Sequence, residues 1–486
     1  MRKNTPSGWL PAALLLALLF GLAALAAALD DLRTYLPVVM RPVPTNTPTA
    51  TATATATATP DPTLPVEMRA IWISRFDWAG SYTPQKIDEM VANVAYAGFN
   101  AIFFQVRGEA DAFYDSQHEP WSARLTGTLG QHPGWDPLAR LIQQAHAAGI
   151  QVHAYLNVYP VWLGCDAPPS NTTPLHLYHQ IVQAHGTTNG KPNGLQWNTA
   201  GSVVCNYQRS SPASIFVDNH LLAVATDLVT RYDVDGIHLD HIRYAGATTS
   251  CDPVSAAASG VPCFSSPPAG YGSYQSWQRA QVNGTVWKFY TQIVPLKPGL
   301  WLSAAVWPIY ADYWGWGGLE GYYDYYQDSK SWIGAFGGDP YIDSISPMIY
   351  PSSFNCPDNS FWSQSRWQTL VQDFQSSANA SGRFIIPGIG AGYCTFDEIA
   401  ARIAMARAIG TAGHAIFSYS GLASHGYFDD LANGPYAQPA AVPTIPWHGR
   451  FPTAAAPPPA DPLPPATGTP DRNDATQSKW DTDTHR

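Results

Sequence analysis

Val234-Asp235-Gly236-Ile237-His238-Leu239-Asp240-His241-Ile242-Arg243-Tyr244 reads as a buried strand that ends in a cluster of charged and hydrogen-bonding groups. Strand side chains alternate between faces. Ile237 and Leu239 therefore take one face, while Gly236, His238 and Asp240 take the other; Asp235 shares the parity of Ile237 and is assigned a structural role. Helical patterns flank this strand at 214–232 and 273–294. Strands alternating with helices imply a parallel sheet. If the sheet closes into a barrel, the polar face points inward and Asp240 stands at the C-terminal mouth, where such barrels keep their active sites.

The same alternation of strand and helix recurs along the chain. Strands are expected at 68–74, 101–107, 151–157, 236–242, 300–307, 344–350, 384–390 and 415–420, and further helices at 83–97, 137–148, 323–336, 361–378 and 395–409. Eight such units match a (β/α)8 TIM barrel, of the α/β class. Asp136-Pro137 has the form of an N-cap acid before a first-turn proline, and Thr395 with Glu398 has the form of a capping box. Gly98, Gly149 and Gly410 fit helix ends that return the chain to a strand. Long insertions at 158–212 and 245–272 hold four of the cysteines and are expected to form pinned walls of a cleft.

Two other strands aim polar groups at the same place as Asp240. In the second, Gln105, Arg107, Glu109 and Asp111 share one face; in the third, His153, Tyr155 and Asn157 do. A purely structural barrel interior would use Val, Ile and Leu there. Cleavage of a glycosidic bond needs two carboxyl groups on opposite sides of it. Asp240, Glu109 and Asp111 are the catalytic candidates, with ion pairing to Arg243 or Arg107 as the bland role for Asp240 and loop capping for the other two. Arg107, His153, Asn157, His238, Arg243, Trp307, Tyr350 and Tyr419 are expected to bind substrate. Asp312 and Glu320 lie in an aromatic-rich loop, 307–326, whose rings suit stacking on sugars.

The chain has 486 residues, a formal charge of −10 and no Lys/Arg runs, which excludes the electrostatic footprint of a nucleic-acid binder. Charged residues make up only 13%, while 18 Trp and 25 Tyr supply the flat faces that sugar-binding clefts use. Residues 1–30 have the form of an export signal, with the apolar run long enough to stay as a membrane anchor. This places the rest of the chain outside the cytoplasm, extracellular or on the cell surface. Residues 31–65 form a Thr/Pro/Ala-rich spacer and 435–486 a Pro-rich tail, both excluded from the 66–434 barrel. Six cysteines in an exported chain suggest three disulfides; proximity favours Cys165 with Cys205, Cys251 with Cys263, and Cys356 with Cys394. A monomer without cofactor or metal is expected.

Six motifs in order, Arg69-Ala-Ile-Trp-Ile-Ser74, Phe104-Gln-Val-Arg107, Asp111-Ala-Phe-Tyr114, His153-Ala-Tyr-Leu-Asn157, Asp235-Gly-Ile-His-Leu-Asp240 and Phe417-Ser-Tyr419, carry a resemblance over about 66–424. The chain resembles the bacterial glycosyl hydrolase-like family 10, secreted TIM-barrel glycosidases whose characterised activity is on peptidoglycan glycan strands. The resemblance implies that Asp240 lies in the active site, lined by Arg107, Asp111, His153 and Asn157. Relatives often carry Pro where this chain has Gly108, an acid where it has His241, and Asn-Pro-Tyr where it has Asn157-Val158-Tyr159. These departures leave the substrate open. The competing expectations are a non-catalytic, envelope-tethered glycan-binding barrel and a metal-dependent hydrolase built on His153, His238 and Asp240.

Overall fold

The computed structural model describes residues 63–352, 354 and 361–448. Its centre is a ring of parallel strands: β1 (Met68–Ile73), β2 (Ala101–Arg107), β3 (Gln151–Asn157), β4 (Gly236–Asp240), β5 (Trp301–Val306), β6 (Ser344–Pro347), β7 in two halves (Phe384–Ile385 and Gly388–Gly390) and β8 (Gly413–Phe417). Each pairs with the next, and β8 pairs with β1. β7 closes the ring. Its first half pairs with β6 and its second with β8, the switch falling at Pro387, which has no N–H to donate. The expected (β/α)8 barrel is the observed fold.

Helices α1 (Pro84–Ala97), α2 (Pro137–Ala147), α3 (Ile215–Arg231), α4 (Tyr274–Lys288), α5 (Ser329–Trp332), α6 (Gln364–Ala378), α7 (Phe396–Ile409) and α8 (Tyr419–His425) follow the strands in turn. Thr83 caps α1 through the Lys86 N–H, and Gly98 ends it at φ +87°. Asp136 caps α2 as its sequence form implies. Thr395 makes no such bond on α7; Glu398 is drawn instead to Arg402 at 2.6 Å, so the capping box does not form. The helix expected at 323–336 is broken as well. Tyr326 turns back at φ +52° so that Gln327 can enter the barrel mouth, where it accepts from the Trp307 N–H and donates to the Ile242 carbonyl.

The alternating pattern produces two cores. Ile71, Ile102, Phe104, Val152, Ile237, Leu239 and Leu302 face the helices, while Met68, Trp72, Phe103, Tyr155, Trp301 and Ile386 fill the barrel. Gly236 is dictated by this filling: a Cβ there would lie 2.4 Å from His153 Nδ1 and 2.8 Å from the Trp301 carbonyl.

The long insertion after β3 returns as an antiparallel hairpin, Pro160–Leu163 against Tyr207–Arg209, stapled by Cys165–Cys205. Cys251–Cys263 staples the insertion after β4, and the two loops join through the Cys251 N–H and the Trp197 carbonyl at 2.9 Å. The third expected pair, Cys356 with Cys394, falls partly outside the described residues, as do the export segment and most of the spacer. Among the described residues no helix is long and apolar enough to cross a membrane.

One boundary moves. Residues 435–448, expected in the tail, pack across the N-terminal floor of the barrel. The Ala441 carbonyl accepts from the Glu67 N–H at 2.9 Å, the Gln438 carbonyl from Arg69 at 2.7 Å, and the Trp447 indole donates to Asp343 at 2.7 Å. The segment is held by backbone carbonyls, by Tyr436, Trp447 and His448, and by Val442 and Ile445, which pack against the barrel interior.

Candidate active site

Asp240 is the last residue of β4, and its carboxylate is enclosed by donors. Oδ2 accepts from the Tyr155 hydroxyl at 2.7 Å; Oδ1 accepts from the His241 N–H at 2.6 Å and from Arg243 at 3.3 Å. Burial favours protonation, but the Arg243 guanidinium and the hydrogen bonds from the Tyr155 hydroxyl and the His241 N–H oppose it, and its pKa lies below the usual Asp value. The group is a carboxylate at neutral pH. His241 sits at φ +48°, a conformation that costs a non-glycine residue about 1–3 kcal/mol.

Asn157 stands beside Asp240 in the register of β3 with β4. It is 1% exposed, yet among the described residues neither its Oδ1 nor its Nδ2 has a hydrogen-bond partner, nor does the Nε2 of Gln105 on β2. Buried amides without partners are costly unless something else meets them. They point to a polar ligand at the mouth.

The hairpin completes one wall. Arg209 approaches His241 Nδ1 at 3.4 Å, and the Tyr207 ring lies 6.1 Å from the His241 ring. Burial and the charges of Arg243, Arg209 and Arg75 keep His241 from protonating, well below the usual histidine range. The chain therefore places a neutral ring next to Asp240.

Arg75, following β1, links this wall to Glu109. One guanidinium nitrogen donates to the Tyr207 hydroxyl at 2.9 Å and to Glu109 Oε1 at 3.3 Å. Gly108 makes room for it, since a Cβ there would lie 2.9 Å from Arg75 Cδ. Glu109 is thus linked through Arg75 and Tyr207 to the wall that carries His241. Asp111 Oδ1 accepts from the Glu109 N–H at 2.8 Å, which is the loop-capping position.

Several expected substrate contacts lie elsewhere. Arg107 is fully buried; its guanidinium forks onto Glu119 at 2.8 to 3.0 Å and donates to the carbonyls of Asn157 and Val158, so its donors are spent inside the protein. His238 has the parity of Asp240 but lies one layer down. Its Nε2 accepts from the Trp72 indole at 3.0 Å, its Nδ1 meets Ser303 Oγ at 2.8 Å, and its ring stacks on Phe103 at 4.2 Å. His153 is deeper, against Gly236 and Trp301, and burial lowers its pKa to about 4. His153, His238 and Asp240 thus occupy successive depths and do not form a metal-binding triad. Tyr419 belongs to the helical layer, where its hydroxyl accepts from Asn93 of α1 at 2.8 Å.

Trp307 and Tyr350 do border the mouth. Arg243 lies 5.4 Å from the Trp307 ring, and Tyr350 stacks on Phe417 at 4.9 Å above Trp72. Asp312 and Glu320 are engaged within their own loop, where Glu320 accepts from the Asp312 N–H at 2.9 Å and Asp312 Oδ2 from the Gly317 N–H at 2.7 Å. Tyr207, Arg209 and Arg75 were absent from the sequence candidates. The only sequence hint for the first two is the nearby Cys205.

Residues 67–375 match the model of the family described as Glycosyl hydrolase-like 10. Glycosyl hydrolase YngK of Bacillus subtilis is 28% identical over 413 residues, 78% of this chain and 74% of its own length. Glycosyl hydrolase DigH of Escherichia coli is 26% identical over 310 residues, 58% of this chain and 65% of its own. Among solved structures, the glycoside hydrolase domain of PgaB (BpsB) from Bordetella bronchiseptica overlaps 75% of this chain and 98% of its own, with 11% identity and a TM-score of 0.49. The family match spans most of the barrel, from the first strand into α6, and includes Asp240 and Glu109. The chain therefore belongs to the glycosyl hydrolase-like 10 family, with the glycoside hydrolase class that its sequence suggested.

Proposed function

We propose that this protein hydrolyses glycosidic bonds in an extracellular or cell-surface polysaccharide, with peptidoglycan glycan strands the first substrate to test. The observation that carries the reading is the ionised, triply hydrogen-bonded Asp240 beside the partnerless Asn157 amide at the mouth of the barrel. A carboxylate held there can attack an anomeric carbon or stabilise the oxocarbenium-like transition state. Glu109, on the opposite side of the Arg75 and Tyr207 bridge, is the second carboxyl, and Asp111 positions its backbone. Asn157 and Gln105 supply hydrogen bonds to sugar hydroxyls.

The test is product analysis by mass spectrometry after incubation of the purified chain with stem-peptide-free peptidoglycan strands and a panel of plant and microbial polysaccharides. New reducing ends from one substrate, abolished by Asp240→Asn, support the reading. Tight binding without product from any of them would leave a glycan-binding barrel.

A further inference from the structure

The loop after β5 carries an aromatic stack at the edge of the outer core, where Trp314 and Trp316 pack against it while staying partly exposed. Its base is continuous with the mouth, because Arg243, which binds Asp240, also lies over the rings of Trp307 and Tyr325 at 5.4 and 5.9 Å. Its tip is Tyr313-Trp314-Gly315-Trp316-Gly317. Gly315 and Gly317 adopt φ +69° and +72°, values that side-chain-bearing residues rarely take. The resulting tight path lays Trp314 on Trp316, with ring centres 4.7 Å apart and planes 21° apart.

The two rings are held differently. Trp316 is tied to the protein by Arg366, 4.7 Å over its ring, and by Phe361 edge-on at 6.3 Å. Trp314 is half-buried. Among the described residues its ring neighbours are Trp316 and Tyr313, the latter edge-on at 5.9 Å and 56% exposed. The loop beneath is braced by hydrogen bonds from the Gly317 N–H to Asp312 at 2.7 Å, the Asp312 N–H to Glu320 at 2.9 Å and the Glu320 N–H to Asp324 at 2.7 Å. A braced aromatic ring loses little freedom when it binds, which favours affinity.

We propose that Trp314, flanked by Tyr313, is a distal sugar platform that binds a pyranose ring of the glycan chain beyond the sugars that contact Asp240. The C–H face of a pyranose is flat and apolar, suiting the indole face, while its hydroxyls stay in water. The platform would make the protein prefer long chains over short ones. This rests on the glycosidase reading, but binding tests it without turnover.

The experiment measures affinity of the full chain carrying Asp240→Asn for two fractions of stem-peptide-free peptidoglycan strands, disaccharides and long strands, by calorimetric titration. Long strands should bind roughly tenfold tighter than disaccharides. Adding Trp314→Ala should collapse that ratio toward one, while Trp314→Phe, which keeps a flat ring, should preserve most of it; circular dichroism melts check that each variant is folded. Equal affinity for both fractions, no binding of either, or a Trp314→Ala variant that keeps the ratio would overturn the platform. Length-dependent binding with no product from the wild-type chain would instead overturn the glycosidase reading and leave the platform standing.

Discussion

The Tyr155 hydroxyl donates a 2.7 Å hydrogen bond to Oδ2 of Asp240, across neighbouring parallel strands. A hydrogen bond to a charged group contributes about 1.5–3 kcal/mol, and this one helps hold the Asp240 pKa below its usual value. Tyr155→Phe removes a contribution that lowers the pKa, so the pKa rises. The acid limb of the kcat/KM profile should move to higher pH and kcat should fall by about tenfold or more. A profile superimposable on that of the wild type would show that Asp240 does not need the hydroxyl.

Asp240→Asn keeps the size of the side chain and removes its charge. The variant should lose on the order of 4 kcal/mol or more of transition-state stabilisation, several decades in kcat, while retaining glycan binding and most of its thermal stability. If Asp240 serves only as the ion-pair partner of Arg243, the melting temperature should drop and turnover persist. Kinetics and thermal unfolding on one preparation separate the two.

The Arg107–Glu119 pair is fully buried, and His220 adds a further contact to Glu119 at 2.9 Å. Burial opposes ionisation of Glu119, but Arg107 and His220 outweigh it and lower its pKa to about 2 from an ordinary 4.5. A depressed carboxyl pKa contributes stability that is fully present above the unfolded value, near 4.5, and is lost as pH falls toward 2. Urea unfolding should therefore show a steep decline for the wild type between pH 5 and 2. Glu119→Gln should cost roughly 3–5 kcal/mol at neutral pH, because Arg107 is left buried without its counter-charge, and should flatten that decline.

Ending the chain after Gly434 removes the floor contacts of Tyr436, Gln438, Ala441, Trp447 and His448, among them two hydrogen bonds to Asp343. It also leaves the buried His414 without its 2.6 Å bond to the Tyr436 hydroxyl. The truncated chain should melt a few degrees below one ending after His448, each kcal/mol lost shifting Tm by roughly 1–2 °C in a domain of almost 400 residues. Equal melting temperatures would show that the segment contributes nothing.

The sequence by itself determined the strand order, the inner and outer faces of β2, β3 and β4, most of the helices that separate the strands and the two loops that carry stapling cysteines. These follow from local rules, a period of two in strands and of about 3.6 in helices, with turn and cap residues at the joints. Parity put Asp240, His238 and Gly236 on one face, and that is where they lie. It could not assign depth. His153 and His238 share the inner face with Asn157 and Asp240 but sit in layers below the mouth, because depth along the barrel depends on how eight strands stagger against one another. Nor could it assign partners. Arg107 was drawn to Glu119 and away from the cleft, Tyr419 to Asn93 outside the barrel, and Tyr207 and Arg209 were carried to the mouth by a hairpin that pairs across more than forty residues. Such choices are settled by the competition among all charges and hydrogen-bonding groups enclosed together, and only the folded chain brings those groups within reach of one another.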